Sequence, residues 1–429
     1  MLYAQKGGYL LLPVVIMLVL TLAAVLLPTA EERCPHFFKW LEIITWLGPQ
    51  EPGMAQLFLG ALAGSCITIV SVVYSILLIA LTFASIQFSP RVLTSFVKDR
   101  VSQSTLGIFI GTFAYCLVLL PAVRTGASAF VPKASLALAL LLGTLCLFYL
   151  IYFIHHIALA IQVNYIIDHV SHETAAIMRT VFGDPLKGFP RTEEPLIEPT
   201  GSVSFPSPRS GYIQFINEKK LLNVAIESDI TIFVHRSEGQ FVPAGTPCIT
   251  ISPAGKATRE ISKTCIRCFH IGPLRTMEND VEFGFLQLVD IALKAISPAV
   301  NDPSTAIACI DHLSALLLLA ATLEPPTSRS FDNNGVVRIM RRQTSFPRLL
   351  DIAYNQIAPY GQADMAVSLR LMRALHDISG VTNYGPYLTA IRKHGERVVR
   401  ACRAHFDEDD CKELMERWTT IETRQRSSV

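Results

Sequence analysis

Residues 288–313 read LVDIALKAISPAVNDPSTAIACIDHL: an apolar helix, a sharp break and a second apolar helix. The first helix is expected over about Val281–Ile296, with Phe283, Leu286, Val289 and Leu293 on one face. Asp290 and Lys294 stand four apart, the spacing of a favourable ion pair. Ser297-Pro298 stops this helix, because proline disfavours helical geometry in the residue before it. Asn301 suits a turn. Asp302 is placed to cap a second helix that opens on Pro303, its carboxylate accepting the Ser304 and Thr305 amides. That helix runs through Thr305, Ile307, Ile310 and Leu313 to Ala321. Punctuation of this kind explains the prolines and Asp302. It leaves Asp290, Ser297, Asn301, Thr305, Asp311 and His312 crowded into an otherwise apolar stretch. Two readings stay open: a buried polar network that fixes the hairpin, and an ion site at the N-terminus of the second helix.

The hairpin lies in a chain of 429 residues, long enough for two or three structural units. Hydrophobic residues make up 51% and charged residues only 17%, below the roughly 25% of a soluble protein. An integral membrane protein with a soluble portion fits this balance. A net charge of +2 without a basic stripe argues against nucleic acid as a partner. The ten cysteines are scattered and form no disulfide framework.

Upstream, four runs can each cross the hydrocarbon layer, which takes roughly 20 apolar residues: Tyr9–Leu27, Leu57–Phe83, Leu106–Val123 and Ser135–Ile154. The first has a poor cleavage context and reads as a retained anchor. With the N-terminus inside, Lys6, Arg91, Lys98, Arg100, Arg179 and Lys187 are cytoplasmic, against Arg33, Lys39, Arg124 and Lys133 outside. This mild bias places both termini in the cytoplasm, where cysteines stay reduced.

In the second span Gly64, Thr68, Ser71, Ser75, Thr82 and Ser85 recur at steps of three, four and seven and so share one helical face. Close helix packing and the wall of a water-filled path both produce such a stripe. Arg91, just inside this span after Ser89-Pro90, is either a snorkelling anchor or a charge at the path's inner mouth. Gly107 and Gly111 in the third span read as packing. His169, His172 and Glu173 share a juxtamembrane helical face that suits zinc or simply water.

Six prolines between 183 and 210 mark a semi-rigid connector. Beyond it Gly211–Ile216, Ile230–Val234 and Pro247–Ile251 read as strands, with a short helix over Glu218–Glu227. The turn Gly239-Gln-Phe-Val242-Pro-Ala-Gly245 resembles that of small barrel-sandwich domains, the lipoyl and biotinyl carriers and the membrane-fusion adaptors. Glycines there supply positive φ. Lys256 lacks the flanking residues of a carrier lysine, so the module is expected to be structural, without a cofactor. Cys265, Cys268 and His270 give three metal ligands where structural zinc takes four, and no metal is assigned. Downstream, Val336–Met340 reads as a short strand, and Phe346–Ile357, Asp364–Ser379 and Tyr384–Phe406 read as helices, before a polar helix over Asp410–Thr423. Arg338, Arg341, Arg342 and Arg348 suit either anionic headgroups or solvent.

LVDIALKAISPAVNDPSTA in the hairpin, QFSPR after the second span, LGIFIGTFAY in the third and FIHHIALAIQ leaving the fourth are together similar to one bacterial family. It is the family of four-span inner-membrane proteins known as a domain of unknown function. The resemblance covers most of the chain, with its most specific motif in the hairpin. It implies a multi-pass membrane location with a cytoplasmic C-terminal domain, and it brings no catalytic residues.

The expected architecture is an α-helical membrane bundle of four spans joined to an α+β cytoplasmic domain with a barrel-sandwich-like β module. Its divisions are 1–182, a connector over 183–210, the β module over 211–256, a helical region over 257–406 and a tail over 407–429. No nucleophile elbow, phosphate loop or HExxH is present, so an enzyme is not expected. The leading expectation is a homo-oligomeric inner-membrane protein that passes an ion or small solute. Thr68, Ser71, Ser75 and Thr82 would line the path and Arg91 would stand at its mouth. The alternative is a membrane-anchored scaffold or sensor that binds a partner or ligand at the hairpin. A weaker one is a metal-dependent hydrolase using Asp290, Asp302 and His312.

Overall fold

The structure, a computed structural model, describes residues 10–33, 49–87, 100–126, 129–186, 188, 190 and 195–426, with the side chains of 84–87 and 424–426 excepted. The chain divides into two compact units, Met1–Tyr165 and Ile166–Val429.

The described residues of the first unit hold four long helices: α1 (Leu11–Arg33), α2 (Pro52–Gln87), α3 (Arg100–Leu119) and α4 (Lys133–Ala160). Small residues let α1 lie close against α3. A Cβ on Gly107 would stand 2.9 Å from Ile16 Cδ1, and one on Gly111 would stand 2.7 Å from Leu20 Cδ1. Packing therefore accounts for both glycines, as their spacing predicts. Gly143 of α4 meets Leu62 of α2 in the same way, at 3.0 Å. A buried carboxylate joins α1 to α4. Glu31 accepts the Ala134 and Ser135 amides at 3.0 and 2.7 Å and the Ser135 hydroxyl at 2.5 Å. These are first-turn amides of α4 that have no partner inside their own helix, and an anion is favoured there.

The second unit begins with α5 (Val163–Val181), the amphipathic helix that carries His169, His172 and Glu173. His172 faces Asp168 at 3.4 Å, one turn back on the same helix. The proline-rich stretch is pinned at its start, with the Gly183 amide on Glu324 O at 2.8 Å and the Leu186 amide on Thr322 O at 2.9 Å.

Two sheets follow. The strands are β1 (Val203–Pro206), β2 (Gly211–Ile216), β3 (Thr231–Val234), β4 (Phe241–Val242), β5 (Pro247–Ser252), β6 (Phe269–Gly272), β7 (Arg329–Phe331) and β8 (Val337–Arg341). One sheet has the order β1-β5-β3-β8-β7 and the other β4-β2-β6. All neighbours are antiparallel except β3 and β8. The larger sheet thus draws β1 from the proline-rich stretch and β7 and β8 from beyond the hairpin. Ile213, Ile232, Val242, Ile249, Ile271 and Ile339 form one core between the sheets. Helices α6 (Glu218–Glu227) and α7 (Arg259–Ile266) close it. Gly239 and Gly245 take φ of +80° and +81°, as the turn motif requires.

The rest of the unit is helical. The hairpin is α8 (Val281–Ala295) and α9 (Pro303–Thr322), followed by α10 (Phe346–Tyr354), α11 (Ile357–Tyr360), α12 (Met365–Ser379), α13 (Gly385–His405) and α14 (Lys412–Arg426). α9 packs against α8, α10 and α12, burying Ile310, Leu313, Leu316 and Leu317. The polar C-terminal helix is a packed element, since Leu414, Trp418 and Ile421 of α14 are buried. Each contributes about 1.5–3 kcal/mol by leaving water. Gly395 of α13 makes room for the Trp418 ring, which a Cβ there would approach to 2.4 Å. Cys402 and Cys411, expected as reduced thiols, are joined in a disulfide. The turn after α13 brings their Cα atoms to 6.4 Å, within the range a disulfide needs.

Among the described residues, five helices are long and apolar enough to cross a membrane: α1, α2, the α3 segment Arg100–Ala122, α4, and α9. The molecule is mostly helical, with apolar helices toward its N-terminus and a sheet-containing C-terminal region.

Candidate functional site

The break between α8 and α9 is built from local hydrogen bonds. The Ser297 hydroxyl donates to Lys294 O at 2.7 Å and closes α8. Asn301 adopts φ +50°, a conformation that asparagine tolerates better than most residues. Its amide donates to Ser297 O at 2.9 Å, and the Asp302 amide donates to Ala295 O at 2.8 Å. Asp302 then caps α9, accepting the Thr305 amide at 3.2 Å and the Thr305 hydroxyl at 2.6 Å. Ser297, Asn301, Asp302 and Thr305 are therefore gathered by the turn and largely satisfied by it.

Asp311 and His312 do not join that group. They lie nine or ten residues further along α9, roughly 13 Å away at 1.5 Å per residue. Asp311 faces Arg370 of α12 at 3.2 Å. Asp290 lies in the middle of α8, half-buried. Five of the seven polar residues thus fall into two separate contacts, the turn and the Asp311–Arg370 pair, rather than one ligand shell. The charges agree with this. The Thr305 hydroxyl and the backbone amides hold the Asp302 carboxyl below its ordinary range. Burial pushes Asp311 up, with Arg370 pulling the other way.

Asp302→Ala is expected to cost about 1 kcal/mol at pH 7, the usual value of a lost cap. Because the folded carboxyl is depressed, its stabilisation is present above the unfolded value of about 3.9 and is lost as pH falls through the folded one. The gap between wild-type and variant melting temperatures should therefore close below pH 4.

The hydroxyl face of α2 is turned away from the rest of its unit. Thr68, Ser71, Ser75 and Thr82 are all exposed. A Cβ on Gly60 or Gly64 would meet nothing within 4 Å. Each hydroxyl donates to the carbonyl one turn back, at 2.8 Å for Thr68, 3.2 Å for Ser71 and 2.8 Å for both Ser75 and Thr82. Among the described residues this stripe is therefore no packing seam within one chain. Arg91 lies outside the described residues, as does the Ser85 side chain.

A third feature lies away from every motif in the sequence. Between the α10–α11 segment and α13 runs a groove of about 430 Å³. Tyr354, Asn355, Ala358, Pro359 and Gln362 form one wall, and His394, Arg397, Arg400, Ala401 and Ala404 the other. The buried His394 ring bonds Asp351 through Nε2 at 2.9 Å, and burial holds its basicity below the ordinary value against the pull of that carboxylate. Tyr354 is fully buried and its hydroxyl has no hydrogen-bond partner among the described residues. The only trace of this face in the sequence is the run 394, 397, 401, 404 at helical spacing. It mixes charge with alanine and so escapes a search for apolar periodicity.

Several other candidates resolve into structure. Cys265 lies in the last turn of α7 and Cys268 follows the helix; both thiols enter the same core, while His270 is exposed on β6. Burial pushes Cys265 up to about 12 and also raises Cys268. Lys256 is paired with Asp229 at 2.5 Å. Three of the arginines considered for headgroups have carboxylate partners, Arg338 and Arg341 largely covered and Arg348 exposed. Arg338 binds Asp229 and Asp332, Arg341 binds Glu218 and Glu238, and Arg348 faces Glu282. Among the described residues, no three His, Cys, Asp or Glu side chains gather closely enough to hold a metal ion.

Comparison with known proteins adds kinship. A family model described as predicted membrane protein (DUF2254) matches residues 6–377. Uncharacterised proteins of Mycobacterium bovis and Mycobacterium tuberculosis are each 33% identical over 367 residues, covering 84% of this chain and 70% of theirs. No solved structure matches.

Proposed function

Because the chain belongs to the DUF2254 family of predicted membrane proteins, we propose that α1–α4 cross the bilayer and that copies of the chain associate along α2. The associated copies enclose a path for an ion or small solute, which the second unit regulates. The observation that carries this reading is the outward hydroxyl face of α2. A lipid-facing helix has no need of Gly60, Gly64, Thr68, Ser71 and Ser75 on one side. A second copy does, because small residues let backbones approach closely. The hydroxyl oxygens keep lone pairs free after donating to their own helix, and can offer them to a passing solute.

Four spans are preferred to five because α9 is covered by protein. Its apolar side chains contact α8, α10 and α12 and leave no broad face for lipid. The two sheets around Gly239 and Gly245 are read as a barrel-sandwich-like module, with a regulatory rather than a catalytic part to play. The lysine and arginine bias favours an inner-membrane protein with both termini in the cytoplasm. In a reducing cytoplasm Cys402 and Cys411 would stand as a dithiol, whereas an oxidising compartment would keep them bonded. The state of this pair in intact cells therefore reports which side the second unit occupies.

The test is flux through the full-length protein reconstituted in liposomes. Ser71→Leu with Ser75→Leu fills the stripe while keeping the helix apolar. It is expected to reduce flux at least about tenfold, as a dewetted constriction would. A Thr68→Cys protein should also cross-link to its own copies. Absence of flux for small cations and anions through the intact protein rules out the path. Absence of the cross-link rules out the association.

A further inference from the structure

We propose that the groove between α10–α11 and α13 binds a small anion with an apolar body, a phosphate monoester or a carboxylate, through Arg397 and Arg400. Charge complementarity is the first reason. Arg397 and Arg400 are exposed and lie one helical turn apart on α13, side chains at that spacing being neighbours. Arg397 is held in place by the Asn355 side-chain oxygen, a neutral partner. Among the described residues neither arginine has a carboxylate partner, whereas Arg338, Arg341, Arg348 and Arg370 each have one. No carboxylate lines the groove. The near acid, Asp351, is engaged by His394. Two guanidinium forks left without a counter-charge suit the oxygens of phosphate or carboxylate.

Shape is the second reason. Ala358 and Pro359 face Ala401 and Ala404 across the groove, and these short side chains leave room for the body of a ligand. A volume of about 430 Å³ falls within the roughly 300–1,000 Å³ of small-molecule sites, which are mostly apolar with a few placed polar groups. A bare inorganic anion would leave the alanine and proline walls unused. An acyl or alkyl group on the anion would cover them. A free ester and a lipid headgroup share this chemistry. The site goes beyond the solute path and does not depend on it, since binding is measured without flux.

The experiment is titration calorimetry of the full-length protein in a neutral detergent, with hexyl phosphate and inorganic phosphate as probes. Hexyl phosphate is expected to bind several-fold more tightly than inorganic phosphate. Arg397→Ala with Arg400→Ala should weaken it at least about tenfold, since a hydrogen bond to a charged group typically supplies that much. Ala401→Leu should weaken it comparably without altering charge, by filling the groove. Arg373→Ala with Arg417→Ala, which removes the same charge elsewhere on the surface, should leave binding unchanged. Three results would overturn the assignment: no heat with wild-type protein, equal losses in the two arginine pairs, or normal binding by Ala401→Leu. Melting curves on each variant show that it is folded. Repeating the titration in phosphatidylcholine nanodiscs with and without phosphatidylglycerol separates the sources. Competition by phosphatidylglycerol identifies a lipid headgroup, and its absence a free anion; the groove is the site in either case.

Discussion

Valine at position 239 is expected to destabilise the second unit by about 4 kcal/mol or more, a large part of the stability of an ordinary domain. Gly239 sits at φ +80° in the turn before β4, and a Cβ there would stand 1.8 Å from Asp280 Oδ2. That carboxylate cannot move aside cheaply. It is buried, accepts Arg275 Nε at 2.6 Å and Nη2 at 2.9 Å, and caps α8 by accepting the Phe283 amide at 3.1 Å. Burial pushes the Asp280 carboxyl up, and Arg275 draws it back down. Displacing it would leave a guanidinium without its anion and a helix without its cap. Gly245 is the control, with φ +81° and nothing within 4 Å of a Cβ. Gly245→Val should cost only the backbone strain, about 1–3 kcal/mol. Thermal melts of the full-length variants in detergent compare the two. Equal losses would show that backbone strain alone acts and that the Asp280 junction contributes nothing.

The second large effect is expected at Gly284 in α8. A Cβ there would lie 2.0 Å from Thr174 Oγ1, 2.8 Å from its Cγ2 and 2.9 Å from its Cβ. Thr174 of α5 is itself fixed, its hydroxyl donating to Val170 O at 2.6 Å. Gly284→Ala would ordinarily stabilise a helix by nearly 1 kcal/mol. Here it should destabilise by about 2–3 kcal/mol, because two helix backbones must separate. Thr174→Ala removes two of the three clashing atoms, so adding it to Gly284→Ala should recover more than half of the loss. A double variant no more stable than the single one would mean that α5 does not approach α8 at this point.

Both glycines carry their physical reason in a contact with a residue far off in the chain, and this divides what was legible from what was not. The hairpin was legible nearly to the residue. Ser297-Pro298 stops a helix, Asn301 turns, and Asp302-Pro303 starts the next, all through bonds spanning no more than seven positions. The short helix of Glu218–Glu227 was legible for the same reason, whereas the strand of Gly211–Ile216 was legible only as a segment, its partners β4 and β6 lying far along the chain. The association of Gly107 and Gly111 with packing followed from their spacing, although their partner α1 did not. The hairpin as a ligand site was an expectation of another kind. It placed an ion at the N-terminus of the second helix, which Asp302 caps, and the helical rise sets Asp311 and His312 apart from that point.

What the sequence determined by itself is therefore the long helices, the ends of the hairpin, the strands β2, β3, β5 and β8 and the family to which the chain belongs, while β1, β4, β6, β7 and α7 went unread. These rest on periodicity, capping and steric limits, which act over a single turn or pleat. The tertiary structure alone decided which faces are covered. It paired β3 with β8 across the whole hairpin and supplied carboxylates to Arg338, Arg341 and Arg348 while leaving Arg397 and Arg400 without one among the described residues. It also joined Cys402 to Cys411, buried α9 in protein, turned the hydroxyl face of α2 outward and made a groove from residues 354–362 and 394–404. Such outcomes depend on contacts between distant segments. An apolar or charged side chain has the same letter whether lipid, a partner helix or water lies beside it.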